Sequence, residues 1–299
     1  MSYGGNNEAD TTRRPSNFDA VEPAGVKAGP EIIVSTQCTK YLTWIASIFI
    51  GIHNALRIYE HIFMRMNYGH KAGGHNMTRF EELNPADIAL RWEARRSLRA
   101  VHVFDEIAGI IGWMCVLPVI IIAVKIISRG NPTSYVQWVT PMFGFAVLIR
   151  ILEWTFNMGQ RTGSDWMSSW SSMAVNNGQQ GVQLIQVLEI AYELARMRET
   201  WFFAMDWLFI GTATFCMSKG ALSENLMTRK HAIMGYVIAA IGILQWIFDV
   251  CRLIQWMPFM IFAGISRALI GLILFPLWLV WLGNLLGKYR GTELTTLLN

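Results

Sequence analysis

Charge is what this sequence is shortest of. Asp, Glu, Lys and Arg make up 15% of its 299 residues, where a soluble domain carries about a quarter. That shortage excludes an ordinary soluble enzyme domain. No block of Lys and Arg stands out, and the net charge is only +4, so nucleic acid is not an expected partner. Cysteine is equally uninformative. Cys38, Cys115, Cys216 and Cys251 show neither CxxC nor metal-ligand spacing, which excludes a disulfide framework and a thiolate metal centre. Nothing resembles a phosphate-binding P-loop, HExxH, the histidine boxes of membrane desaturases or GxSxG. No catalytic residue is therefore expected, and the sequence leans away from an enzyme. No lysine falls in the middle of an apolar stretch, so a retinal Schiff base is not expected either. The stretch 1–38 lacks a basic segment followed by an apolar one, so no cleaved secretory signal is expected there.

What the chain has instead is hydrocarbon. Apolar residues make up 53% of it, including 13 Trp and 16 Met. A membrane-spanning helix needs about 20 mostly apolar residues. Six stretches meet this, at 41–64, 102–126, 135–158, 201–218, 231–254 and 258–285. They predict an all-α fold: a polytopic integral membrane helical bundle of about six transmembrane helices over 39–288. A polar, disordered tail is expected over 1–38 and a short C-terminal tail over 289–299. The expected surroundings are the lipid bilayer, with other membrane subunits or a homo-oligomer as partners. Helix-prone amphipathic segments precede the second and fourth spans, at 85–100 and 180–200. The first opens on Asn84-Pro85, an N-cap followed by proline in the first turn.

Three windows align without gaps in the second halves of the odd spans: LRIYEHIFM at 56–64, IRILEWTFN at 149–157 and IGILQWIFD at 241–249. An Arg-x-x-Glu pair in the first two becomes Gly-x-x-Gln in the third. A three-fold repeat of helix pairs would give this pattern. So would similar composition in similar helices, and both readings stand. Lys and Arg divide 11 to 11 between the two sides of a six-span layout, so loop charge does not orient the chain. The missing signal segment favours termini on the cytosolic or matrix side.

An ionisable side chain at the bilayer centre costs about 2.5–3.5 kcal/mol on insertion scales, so each one within a span calls for a reason. They are Arg57 and Glu60, Asp105 and Glu106, Arg150 and Glu153, Asp206, Asp249 and Arg252, and Arg267. Odd spans carry theirs near the C-terminal end and even spans near the N-terminal end. In an alternating layout all of them fall in the half of the membrane opposite the termini. Arg57/Glu60, Arg150/Glu153 and Asp249/Arg252 have the i, i+3 spacing at which helix side chains meet. His53, His61 and His102 are candidate ligand-binding residues. His53 with His102 is the one pair whose depths would suit a b-type haem, although no cofactor is required by the sequence. Three readings follow. The charged layer is an interior site of a transporter or channel-like protein for an ion, proton or lipid headgroup. Alternatively it is the rim of a non-catalytic subunit in a larger membrane assembly. The third reading is a b-haem electron-transfer or lipid-modifying protein.

Overall fold

The computed structural model describes residues 36–73, 85–128, 135–176, 178–223, 226–253 and 260–287. Nearly all of the tail expected over 1–38, and all of that over 289–299, lies outside the described residues. The elements run α1 (Thr36–Gly73), α2 (Pro85–Ser97), α3 (Arg99–Ser128), a 3-10 turn (Val136–Trp138), α4 (Val139–Thr162), α5 (Ser164–Asn176), α6 (Gly178–Ser223) and α7 (Arg229–Leu253). The last rod joins α8 (Met260–Ala268), a π-helical turn (Leu269–Leu274) and α9 (Phe275–Leu286).

Four helical segments are long and apolar enough to cross a membrane: Arg99–Ser128, Val136–Gln160, Arg229–Cys251 and Gly264–Leu286. The chain is a multi-pass helical membrane protein. The other two long helices, α1 with 38 residues and α6 with 46, are diluted by polar residues. His53, Asn54 and Arg57 interrupt the apolar run of α1, and Asp206, Thr212, Thr214 and Ser218 that of α6.

Helices in lipid gain nothing from hydrophobic exclusion and associate through close packing at small residues and through polar contacts. Both are present. Between α6 and α7, a Cβ at Gly242 would stand 3.3 Å from Gly211 Cα and from the Trp207 carbonyl oxygen, so the two backbones touch there. Between α1 and α3, a Cβ at Gly112 would lie 2.8 Å from the Ile50 side chain. The inner face of the bundle is filled by large side chains, among them Phe143, Trp154, Phe275 and Trp278, all essentially inaccessible. Trp113 stacks on Phe275 with ring centroids 5.1 Å apart. Outward faces remain apolar: Phe145, Leu148, Leu152 and Phe156 run exposed along α4 at helical spacing, as a lipid-facing surface requires.

The last rod shows how the chain handles a proline within the apolar layer. The Phe275 N–H reaches back one wide turn to the Ile270 carbonyl. The next bond of that register would run from residue 276 to Gly271, and Pro276 has no N–H to give. The Asn54 side-chain amide supplies it from α1, donating to the Gly271 carbonyl at 3.1 Å. One turn away, the Ser47 hydroxyl donates to the Pro276 carbonyl at 3.1 Å. These bonds fix α1 antiparallel to the last rod.

Candidate functional site

The helix crossings set which charges meet. Along α1 and α3, residue 53 lies opposite 105 and residue 60 opposite 102. Arg57 falls between them. Its Nε lies 2.7 Å from Asp105 Oδ2 in an ion pair, and its terminal nitrogen donates to Glu106 Oε1. His53 Nδ1 faces two acceptors of one residue, the Asp105 carboxylate at 2.7 Å and the Asp105 backbone carbonyl at 3.0 Å. Both neighbours accept, so Nδ1 carries the hydrogen. Gly109 makes room for this ring, because a Cβ there would lie 2.9 Å from His53 Nδ1 and 3.0 Å from Trp154. Further along α1, Glu60 Oε2 meets His102 Nδ1 at 2.8 Å.

A second group lies between α4 and α6, where Arg150 pairs with Asp206. The guanidinium carbon of Arg150 sits 4.5 Å from the ring centre of Trp113, 5.5 Å from that of Trp154 and 5.0 Å from that of Trp207. Three indoles and one carboxylate thus enclose it. Trp154 joins this group to the first, since its ring centroid is 4.7 Å from that of His53. Glu153, on the same turn as Arg150, accepts from Asn157 at 3.5 Å. The third group closes the last two rods. Arg267 pairs with Asp249, Gln245 donates to Asp249 at 2.9 Å, and Ser266 donates to Gln245. Asp206 lies within electrostatic range of Asp249 and Arg267 as well as Arg150.

Nine of the ten charged residues singled out from the sequence are therefore held inside the bundle or at its edge. Asp105, Glu106, Arg150, Glu153, Asp206 and Asp249 are 0–4% exposed. The side chains of Arg57 and Arg267 are 20% and 27% exposed and that of Glu60 13%. The side chains of Arg252 and His61 lie outside the described residues. The sequence reading offered i, i+3 partners along one helix; each group is tied across to a second helix. It also missed several members: Asn54, the indoles of Trp113, Trp154 and Trp207, and the Gln245–Ser266 link. A signal existed only for the indoles, as tryptophans in helices that also carry a charge.

His53, Asp105 and Glu106 offer three ligand atoms within 4.8 Å of one another, the separation a metal ion needs. Arg57 already stands between the two carboxylates, so a metal would have to displace a tethered cation. His53 and His102 belong to separate carboxylate pairs, and the His53 ring is packed between Gly109 and Trp154 without space for a haem plane on that side. Comparison of the chain with known proteins found no match to a family model, a curated protein or a solved structure.

Proposed function

We propose that this chain is a six-span transporter or channel-like protein whose buried charged layer handles a small cation, the proton included. One observation carries the reading. Among the described residues, His53, Asp105 and Glu106 are buried together between α1 and α3 with three ligand atoms within 4.8 Å of one another, and Asp206 and Asp249 are buried in the same bundle. Charge buried in low dielectric is costly unless it is paired or holds a bound ion. A proton or small cation is what buried carboxylates beside an imidazole take up. A lipid headgroup is a weaker fit, because the layer's guanidiniums are already paired to its carboxylates.

Six spans are favoured by the spacing of aromatic and basic side chains. Tyr41 and Tyr59 are both exposed on α1 and stand on opposite ends of its apolar run; Trp201 and Lys219 are placed in the same way on α6. At 1.5 Å rise per residue, each pair is separated by about 27 Å along its helix axis, close to the roughly 30 Å hydrocarbon thickness. Aromatic rings of this kind settle at the headgroup boundary. Lys219 lies 4.2 Å from the ring centre of Tyr135, as expected of a cation reaching up to that level. A repeat of helix pairs is also part of the proposal. α1–α3, α4–α6 and α7–α8 each hold an arginine–aspartate pair between their two members, and the sign reverses in the third.

The purified chain in liposomes, loaded with a dye for protons, sodium or potassium, tests this. Flux of one of these ions that falls in Asp206→Asn is the expected result. Flux no greater than in empty liposomes for all three would refute the reading.

A specific observation also favours the assembly-subunit reading. On α5 the usual amphipathic order is inverted: Ser168 and Ser171 are buried, while Trp166, Trp170 and Met173 are 69%, 42% and 54% exposed. These spacings of four and three put the apolar side chains on one outward stripe. The first half of α6 also carries exposed Val187 and Ile190. Its 46 residues extend about 69 Å, against about 40–45 Å for a bilayer with headgroups. Trp166→Ser combined with Trp170→Ser should abolish co-purification with partner subunits, and unchanged assembly would dismiss this second reading.

A further inference from the structure

We infer that α6, α7 and α9 together bind one buried water molecule, held by Ser218, His231 and Trp278 over a notch at Gly235. The site stands apart from the charged layer, since Ser218 lies about 18 Å beyond Asp206 along α6, and it does not depend on the cation reading. Its basis is a group of polar atoms that three helices bring to one place without pairing them. Ser218 (α6), His231 (α7) and Trp278 (α9) are each 0% exposed. Among the described residues, the Ser218 hydroxyl, the Trp278 indole nitrogen and His231 Nδ1 have no hydrogen-bond partner. Buried polar atoms are nearly always bonded, to protein or to ordered water. Three in one place call for a common partner.

Gly235 shows how closely they gather. A Cβ on this residue would overlap the Ser218 hydroxyl and lie 3.1 Å from Trp278 Nε1. Both atoms therefore face one point of the α7 backbone. His231 stands one turn back on the same face of α7. Its Nε2 bonds to the Trp278 backbone carbonyl at 3.3 Å, which ties the imidazole to the residue whose indole reaches the notch. The His231 ring also lies nearly flat against Trp281, with centroids 4.7 Å apart, so its orientation is set.

The chemistry of the three atoms selects the occupant. A carbonyl oxygen only accepts, so His231 Nε2 carries the ring hydrogen and Nδ1 offers a lone pair. The indole N–H only donates, and the serine hydroxyl does either. An anion would meet the imidazole lone pair, and a cation would meet the indole hydrogen. The partner must donate to Nδ1 and accept from Trp278. It must also be small, because all three side chains are inaccessible. Water satisfies each requirement, and three polar partners are what a buried water typically has.

X-ray radiolysis turns water into hydroxyl radical where it is bound, and mass spectrometry of the digested chain then shows which side chains were oxidised. The full chain is equilibrated in detergent with oxygen-18 water. Trp278 and His231 should carry the heavy oxygen, whereas Phe143, equally buried, should not. Ser218→Ala should lower the labelling of both about fivefold, the effect of one net hydrogen bond. A second measurement reads the indole directly. The N–H-sensitive ultraviolet resonance Raman band of Trp278, isolated as wild type minus Trp278→Phe, should fall at the position of a hydrogen-bonded indole. Monodisperse elution of both variants establishes that they fold. A band at the position of a free indole would overturn the inference. So would the absence of label from Trp278 and His231, because a bonded indole would then have a protein partner. Labelling unchanged in Ser218→Ala would overturn the three-way site.

Discussion

Arg150 and Asp206 provide the sharpest test of how this bundle is held together, because the two partners of one ion pair have unequal surroundings. Asp206 is fully buried and pairs with Arg150. Arg150 also lies over three indole faces, at 4.5, 5.0 and 5.5 Å. Removing one member of a buried pair costs about 3–5 kcal/mol, mainly because the other charge is left uncompensated. A desolvated cation–π contact contributes about 1–2 kcal/mol. Arg150→Met strands a carboxylate and also empties the indole box, for a loss of roughly 5 kcal/mol. Asp206→Asn leaves the guanidinium among its three indoles with an amide oxygen still beside it, and should cost roughly 3 kcal/mol, at the low end. Replacing both, as Arg150→Met with Asp206→Leu, removes the desolvation of two charges and should lie near the wild type, since apolar replacement of a buried pair is often neutral or stabilising by about 1–4 kcal/mol. Denaturant unfolding in mild detergent, followed by near-ultraviolet circular dichroism of the indoles, gives all four stabilities of the cycle. An Asp206→Asn loss equal to or above that of Arg150→Met would refute the role given to the indoles. A double variant as unstable as its two singles combined would refute the pairing itself.

Two further substitutions separate close contact from open space. Gly211→Val should lose about 1–3 kcal/mol from overpacking, because a Cβ there already lies 3.1 Å from the Ala239 carbonyl oxygen; Gly51→Ala and Gly144→Ala, with nothing within 4 Å, should gain about 0.5–1 kcal/mol, and thermal melts in detergent rank them. Asn54→Ala should cost about 1–3 kcal/mol by leaving the Gly271 carbonyl without its donor. Adding Pro276→Ala returns a backbone N–H to that register and should recover most of the loss; a double variant as unstable as Asn54→Ala alone would show that the amide does not substitute for the missing bond.

Particular residues show how far the sequence could be read. The positions of Asp206, Arg150 and Glu106 were legible because a charge inside an apolar run is improbable without a reason, and that cost is written in one dimension. Their partners were not. Arg57 meets Asp105 and Glu106 on a helix far along the chain, and Asp249 meets Arg267 on the next helix after its own. Such choices depend on the register of antiparallel helices, which Gly112, Gly211 and Gly242 set by letting backbones touch. Local spacing therefore offered Glu60 to Arg57, while the crossing added Asp105 and Glu106. α5 escaped for a different reason. No apolar stripe marks its inner face: two of its serines, Ser168 and Ser171, are packed inward, and Ser171 bonds back to the Met167 carbonyl at 2.6 Å. Small hydroxyl residues satisfied in this way allow helices to approach closely.

The same reasoning explains why α1 and α6 are less apolar than the four segments that most plainly cross a membrane. Polarity on a spanning helix is tolerable where it faces another helix and not lipid. Asn54 turns toward the last rod, Arg57 toward α3, Asp206 toward Arg150, and Thr214 bonds to the Ile210 carbonyl of its own helix. α1 and α6 each touch two of those four segments, so they have inner faces enough to carry these groups. The two least apolar of the long helices are thereby the ones that bring His53, Arg57 and Asp206 to the interior. A spanning helix freed of that duty, such as α3 beyond Gly109, reverts to nearly continuous Ile, Val and Leu. Polar dilution in a long helix of such a protein is then a pointer to which helices line the working interior.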